Sequence, residues 1–253
     1  MSRLAACFAA GSRPKRAIFF TAGYPTLADS KRIGRELVQC GADILELGLP
    51  FSDPVADGPV IQRSSQVALE QGFVLGQVFE VARAIREESD TVPIVLMGYI
   101  NPVLQYGLER FVTEASEAGV DGFIFPDFPP EEARETLGAR CEAAGLDLIF
   151  LVAPNTPGTR IAELDELSSG FLYAVSSLAI TGSSAGSHEA VADYLRRVKA
   201  SVSKNPVMVG FGIRNGNDVQ ALAPFCDGVI VGSAFLAHIG EGGTVAGFME
   251  GLK

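Results

Sequence analysis

The chain has 253 residues, 47% of them apolar and 20% charged, enough apolar side chain for a full core and the wrong balance for an intrinsically disordered chain. Thirty acidic residues against twenty basic ones give a formal charge of −10, and the densest basic stretch, residues 13–16, is a short Pro-containing turn, so a nucleic-acid partner is disfavoured. The four cysteines, Cys7, Cys40, Cys141 and Cys226, have no CxxC spacing and lie apart from the two histidines, His188 and His238, which reads as reduced, apolar packers in a cytoplasmic protein and as no metal site.

Along the chain, an apolar run at 4–10 is followed by Arg13, Lys15 and Arg16 where a signal-peptide cleavage site would fall, and it predicts an amphipathic N-terminal helix instead. Short apolar runs rich in β-branched and aromatic residues then predict strands at 17–22, 44–49, 93–99, 122–126, 146–153, 170–176, 206–212 and 228–234. Helical spacing between them predicts helices at 27–40, 74–88, 108–118, 131–144 and 190–202. Gly41, Gly119 and Gly145 stand just before strands, where the chain leaves a helix through a left-handed turn. The one long uncharged stretch, 168–187, is rich in Gly and Ser and reads as strand then loop, so no membrane span is expected. Eight βα units without a dividing linker, in a chain of about the usual barrel length, predict one (β/α)8 TIM-barrel domain over 1–253 with an extra N-terminal helix; an open doubly wound sheet is the next choice.

In a barrel strand alternate residues face inward, which puts Ile44, Glu46 and Gly48 on one face of the second strand and Leu45, Leu47 and Leu49 on the other, against the helices. Glu46 then faces the interior near the C-terminal end of its strand, where barrel active sites are built, in apolar surroundings that raise a carboxyl pKa. The plainer reading is a glutamate paired with an Arg or Lys from elsewhere. The segment 50–59 is too rich in proline for a helix and carries Asp53 and Asp57, each also an ordinary turn residue before Pro or Gly. At the ends of the seventh and eighth strands stand Gly210-Phe211-Gly212-Ile213 and Val231-Gly232-Ser233-Ala234, the two positions where barrels hold phosphate on backbone N–H groups. The spacing Gly210, Gly212, Gly216 also approaches a dinucleotide fingerprint, but its third glycine falls one residue late and it follows the wrong strand.

The continuous run from Glu46 through Pro50, Asp53, Asp57 and Pro59 to Gln62 resembles the signature of the tryptophan synthase α subunit family. The likeness extends through Phe19, Thr21-Ala22-Gly23, residues 97–101, Pro126-Asp127, Tyr173, Thr181-Gly182, Gly210-Phe211-Gly212 and Gly232-Ser233. The resemblance implies a lyase of tryptophan biosynthesis that cleaves indole-3-glycerol phosphate to indole and glyceraldehyde 3-phosphate by a retro-aldol reaction, with no cofactor in this chain. It makes Glu46 the acid/base and Asp57 the group that holds the indole N–H. Phe19, Tyr99, Ile124, Leu151, Tyr173 and Phe211 would line the indole pocket, Gly182, Gly212, Gly232 and Ser233 would bind phosphate, and Thr181 joins the substrate-binding set.

The resemblance further implies a β partner carrying pyridoxal phosphate, in an αββα assembly that receives indole through a tunnel, with the loop bearing Pro50 and Asp53 touching that partner. The chain departs from the family pattern after Thr181, where 182–187 lack the charged residues often found there and Ala179 replaces a common glycine. That departure bears on loop closure and on activation by the partner. The competing readings are another phosphate-binding barrel lyase or isomerase, and a catalytically weak subunit that mainly activates a β chain. An indole-glycerol-phosphate synthase would need a catalytic lysine on an early strand, and the predicted first four strands contain none.

Overall fold

A computed structural model describes residues 2–11, 14–175, 184–210 and 212–253. The first half runs α1 (Arg3–Ala9), β1 (Lys15–Thr21), α2 (Leu27–Gln39), β2 (Ile44–Gly48), α3 (Pro59–Glu70), α4 (Gln77–Glu88), β3 (Ile94–Met97), α5 (Ile100–Tyr106), α6 (Leu108–Glu117) and β4 (Gly122–Ile124). The second half runs α7 (Pro130–Ala133), a π-helical turn (Arg134–Gly138), α8 (Ala139–Ala144), β5 (Asp147–Ile149), β6 (Leu151–Val152), α9 (Gly158–Leu167), β7 (Leu172–Val175), α10 (Ser184–Ser201), β8 (Val207–Gly210), α11 (Gly216–Leu222), β9 (Gly228–Val231), α12 (Ser233–Gly240) and α13 (Val245–Gly251).

Every strand pair is parallel, in the order β5-β4-β3-β2-β1-β9-β8-β7-β6. The two ends of that order belong to one stretch of chain: β5 pairs with β4 and β6 with β7, so the sheet closes into an eight-stranded ring through the predicted fifth strand. The break falls at Phe150, whose N–H is taken by the Ser168 hydroxyl at 3.0 Å while its carbonyl accepts from Tyr173 N–H at 3.0 Å. The (β/α)8 barrel expected from the alternation of elements is thus the observed architecture.

One helix adds to the sequence reading and one reading needs correction. The segment after the Pro50–Pro59 loop is a helix, α3, with Pro59 at its first turn where a missing N–H costs nothing. Its buried stripe is Ser64, Ser65 and Ala68, flanked by the partly buried Val60 and Ile61, and Ser64 shares a 2.6 Å hydrogen bond with the Thr21 hydroxyl, so the middle of its inner face is polar. The first strand begins at Lys15, two residues before its apolar run, so the early strands do carry a lysine. Lys15 sits at the N-terminal end of β1 and donates its ammonium to the Ala10 carbonyl at the end of α1. It is a cap for that helix, at the opposite end of the strand from the cavity described below.

The N-terminal helix packs on the end of the barrel opposite the cavity described below. Arg3 bonds Asp121 at 3.0 Å and the Asp90 carbonyl at 2.6 Å, Leu4 is fully buried, and Phe8 meets Phe171 at 6.3 Å between ring centres. All of those partners precede strands, so α1 packs across the N-terminal end. Asp121 is also held by Arg86 at 2.6 Å, and Arg86 donates to the carbonyls of Gly119, Ser89 and Val92, so the two charges are buried together with their polar groups satisfied. Among the described residues no helix is long and apolar enough to cross a membrane.

Candidate active site

At the C-terminal mouth lies a cavity of about 350 Å³. All five residues of β2 are buried, and Glu46 reaches the cavity with only 1% of its surface exposed. Neither of its carboxyl oxygens finds a hydrogen-bond donor among the described residues. Burial pushes its pKa up to about 8, and the neighbouring Asp57 carboxylate adds to the shift, so Glu46 holds its proton at neutral pH. Among the described residues, then, no basic side chain pairs with Glu46.

Asp57 enters the same cavity from the loop between β2 and α3. Burial raises its pKa too, but a hydrogen bond from the Tyr99 side chain opposes that rise. The two carboxyls thus sit in unlike environments, one with no donor to hold its charge and one with a phenol to do so. Environments that push two acids apart in this way divide proton donation from charge stabilisation between them.

The rest of the lining sorts by chemistry. Phe19 from β1, Met97 from β3, Tyr173 from β7 and Ile230 from β9 give apolar walls. Gly212, Gly232 and Ser233 line the rim after β8 and β9, and Arg214 joins them. Gly212 has φ +83°, a conformation that a side chain strongly disfavours. A β-carbon on Gly232 would stand 3.2 Å from Cβ and Cδ1 of Phe19, so glycine is what leaves the start of α12 open to the cavity. The N–H groups of such a helix start suit an anion.

Of the residues singled out in the sequence, the fold brings Phe19, Glu46, Asp57, Tyr173, Gly212, Gly232 and Ser233 around this one cavity. Tyr99 lines a small adjoining recess, which it shares with Asp57, Phe19 and Met97. Ile124 is fully buried on β4 and Leu151 is half-buried on β6, and the cavity lining includes neither. Pro50 is buried at the root of the loop and Asp53 is exposed farther along it. Thr181, Gly182 and Phe211 lie outside the described residues. The sequence reading passed over Ile230 and Arg214 and named Ile213 only within the glycine motif after the seventh strand. Ile230 was within reach of it, because strand alternation puts it on the same face as Gly228 and Gly232. Among the described residues no group of three or more His, Cys, Asp or Glu side chains could hold a metal ion.

A parallel (β/α)8 barrel with one buried and one half-buried carboxyl in an apolar cavity and a glycine-lined rim defines a barrel enzyme acting on a small molecule. Comparison with known proteins narrows this. The family model for the tryptophan synthase alpha chain matches residues 8–247. A tryptophan synthase alpha chain from Christiangramia forsetii is 44% identical over 238 residues, covering 93% of each chain. One from Methylibium petroleiphilum is 46% identical over 236 residues, covering 92% of this chain and 86% of its own. Among solved structures, a chain of tryptophan synthase from Mycobacterium tuberculosis superimposes with a TM-score of 0.90 at 38% identity, covering 99% of this chain and 96% of that one. A chain of the tryptophan synthase α2β2 complex from Pyrococcus furiosus gives 0.86 at 36% identity, covering 95% and 98%. The chain belongs to the tryptophan synthase alpha chain family, and it is a lyase of tryptophan biosynthesis.

Proposed function

We propose that the substrate is indole-3-glycerol phosphate and that Glu46 and Asp57 carry out its cleavage to indole and glyceraldehyde 3-phosphate. The observation that carries the reading is a carboxyl held neutral, without a hydrogen-bond partner among the described residues, in the same cavity as a second carboxyl. The Glu46 proton goes to C3 of the indole ring, leaving a positive charge centred on N1, which the Asp57 carboxylate stabilises while accepting the N1 hydrogen bond. The Glu46 carboxylate then takes the proton of the side-chain hydroxyl next to the ring. As that oxygen becomes a carbonyl, the electrons of the breaking C–C bond return to the ring and neutralise N1. Indole leaves with its new C3 hydrogen, the aldehyde carries the phosphate, and Glu46 is again protonated.

Phe19, Tyr173, Met97 and Ile230 suit the flat apolar ring, and Gly212, Gly232 and Ser233 suit the phosphate without needing a lysine. Ile124 and Leu151, and with them Thr181, Gly182 and Phe211, stay in the proposed substrate set on family resemblance. The experiment that tests the reading is the release of indole from indole-3-glycerol phosphate by the purified chain, alone and with a tryptophan synthase β subunit. Absence of indole in both arms would reject it.

The relatives also support a β partner in an αββα assembly, with pyridoxal phosphate in the β chain, and the loop bearing Pro50, Asp53 and Asp57 is the proposed contact. Val55 in that loop is 83% exposed, an apolar side chain with more to gain from a partner than from water. A partner that binds the ordered form of a catalytic loop raises turnover by shifting its population, with no new chemistry. Asp53 has no chemical role in the cleavage, so Asp53→Ala is expected to cut the activation by β at least about fivefold while the isolated chain keeps its basal rate. Steady-state indole formation with and without β decides this, and an unchanged activation ratio would remove Asp53 from the interface.

A further inference from the structure

The geometry points to Tyr99 as a positioning residue that fastens the catalytic loop and orients Asp57, rather than as a wall of the indole pocket. This inference rests on the reading of Asp57 proposed above. Tyr99 does not line the main cavity, and three contacts join it to the loop. Its ring stacks on Phe51 with 5.1 Å between centroids and 28° between planes. Its hydroxyl accepts the Ala56 N–H at 3.0 Å, one residue before Asp57, and shares a recess with Asp57, whose carboxylate it is placed to hydrogen-bond. Phe51, Ala56 and Asp57 span most of the loop, so one side chain ties down both its entrance and its functional end.

Hydroxyl chemistry sets the direction of these bonds. A phenol has one proton to donate, and its oxygen here already accepts from a backbone N–H, so that proton goes to the Asp57 carboxylate. The anchor itself is rigid. Tyr99 is 4% exposed, stands between β3 and α5 as the N-cap of that helix, and the next amide, Ile100 N–H, donates to the Asp127 carboxylate at 3.0 Å. The loop by contrast exposes Ser52, Asp53, Val55 and Ala56. Gln62 Nε2 also ties Asp57, at 2.8 Å, but through its backbone carbonyl and not through its carboxylate. A carboxylate that must meet the N1 hydrogen as charge develops gains from being held in place beforehand.

The test uses Tyr99→Phe, which keeps the ring and its stacking and removes the hydroxyl, alone and combined with Asp57→Asn. Losing a hydrogen bond to a charged group is expected to lower kcat/KM by about 10- to 100-fold in the wild-type background. In the Asp57→Asn background the same change should cost less than about twofold, since residues that act as one unit are not additive. The groups facing Asp57 are Glu46, Tyr173 and Tyr99, with Arg214 lining the same cavity and Asp127 facing Tyr99. Of these only Tyr99 is changed, so the acid limb of the kcat/KM profile should move to higher pH as Asp57 loses the bond that favours its ionised form. Affinity for glycerol 3-phosphate should stay within about twofold, because the phosphate rim is untouched.

Additive losses, an unmoved acid limb or a general fall in glycerol 3-phosphate affinity would each overturn the assignment of Tyr99. A near-normal Asp57→Asn enzyme would overturn it together with the role of Asp57. A poor Asp57→Asn enzyme with additive Tyr99→Phe losses would overturn the role of Tyr99 alone.

Discussion

Changing Glu46→Gln is expected to lower turnover by roughly 10² to 10⁴, because glutamine keeps the size of the side chain and removes its ability to give and take a proton. The same substitution should make the folded protein more stable at neutral and mildly alkaline pH. The carboxyl has a folded-state pKa of about 8 against an ordinary value of 4.5. Between those values the unfolded chain releases a proton that the folded protein keeps, so wild-type stability falls as pH rises through this window. The cost levels off above about pH 8, at an upper bound near 5 kcal/mol.

Glutamine does not titrate, so it escapes this loss, although its buried amide still lacks partners and gives back part of the gain. A net stabilisation of about 1–3 kcal/mol at pH 8, shrinking towards zero by pH 5, is the expected balance. Denaturant unfolding of both proteins at the two pH values measures it. A glutamine variant with near-normal indole release, or one whose stability tracks wild type at every pH, would remove Glu46 from the centre of the mechanism.

The second large effect is expected at the phosphate rim. Gly232 has φ −123° and ψ −75°, a negative φ but a pair outside the main helical and extended regions, so Gly232→Val carries a modest backbone cost. What it meets is Phe19: the new β-carbon would lie 3.2 Å from two of that residue's carbons, and the branched methyls would fill the space in front of the first turn of α12. Phosphate affinity is expected to fall by at least about 100-fold, since backbone N–H groups act on an anion only at hydrogen-bond distance. Calorimetry with glycerol 3-phosphate, beside circular dichroism showing a folded protein, provides the measurement. Unchanged binding in a folded Gly232→Val protein would move the phosphate site elsewhere.

Strand-forming runs were legible because each barrel strand is buried on both faces and so reads as a short block of β-branched and aromatic residues. Glu46 was legible for the same reason, as the one charged residue in the block Ile44–Gly48. The catalytic loop showed itself by its prolines and acids, but nothing in its spacing separated Asp57 from Asp53; their different burial comes from the path of the loop over the mouth. Helix α3 is less legible because the middle of its inner face is Ser64 and Ser65, with Ser64 matched to a hydroxyl on β1, between the apolar Val60, Ile61 and Ala68. The start of β1 was hidden because Lys15 is charged, although its ammonium is occupied by a helix-end carbonyl. The position of Tyr99 could be guessed from family resemblance, but its partners could not, since Phe51, Ala56 and Asp57 reach it only through the tertiary fold.

The central claim is that a neutral Glu46 delivers the proton on which cleavage depends, and its most direct test is kcat/KM for indole formation from indole-3-glycerol phosphate, followed by pH in the wild-type chain. The account predicts indole and glyceraldehyde 3-phosphate in equal amounts, with kcat/KM falling as pH rises past about 8, where Glu46 loses its proton. A profile that stays flat through pH 8, or that falls instead as pH rises past the ordinary glutamate value of 4.5, would contradict it.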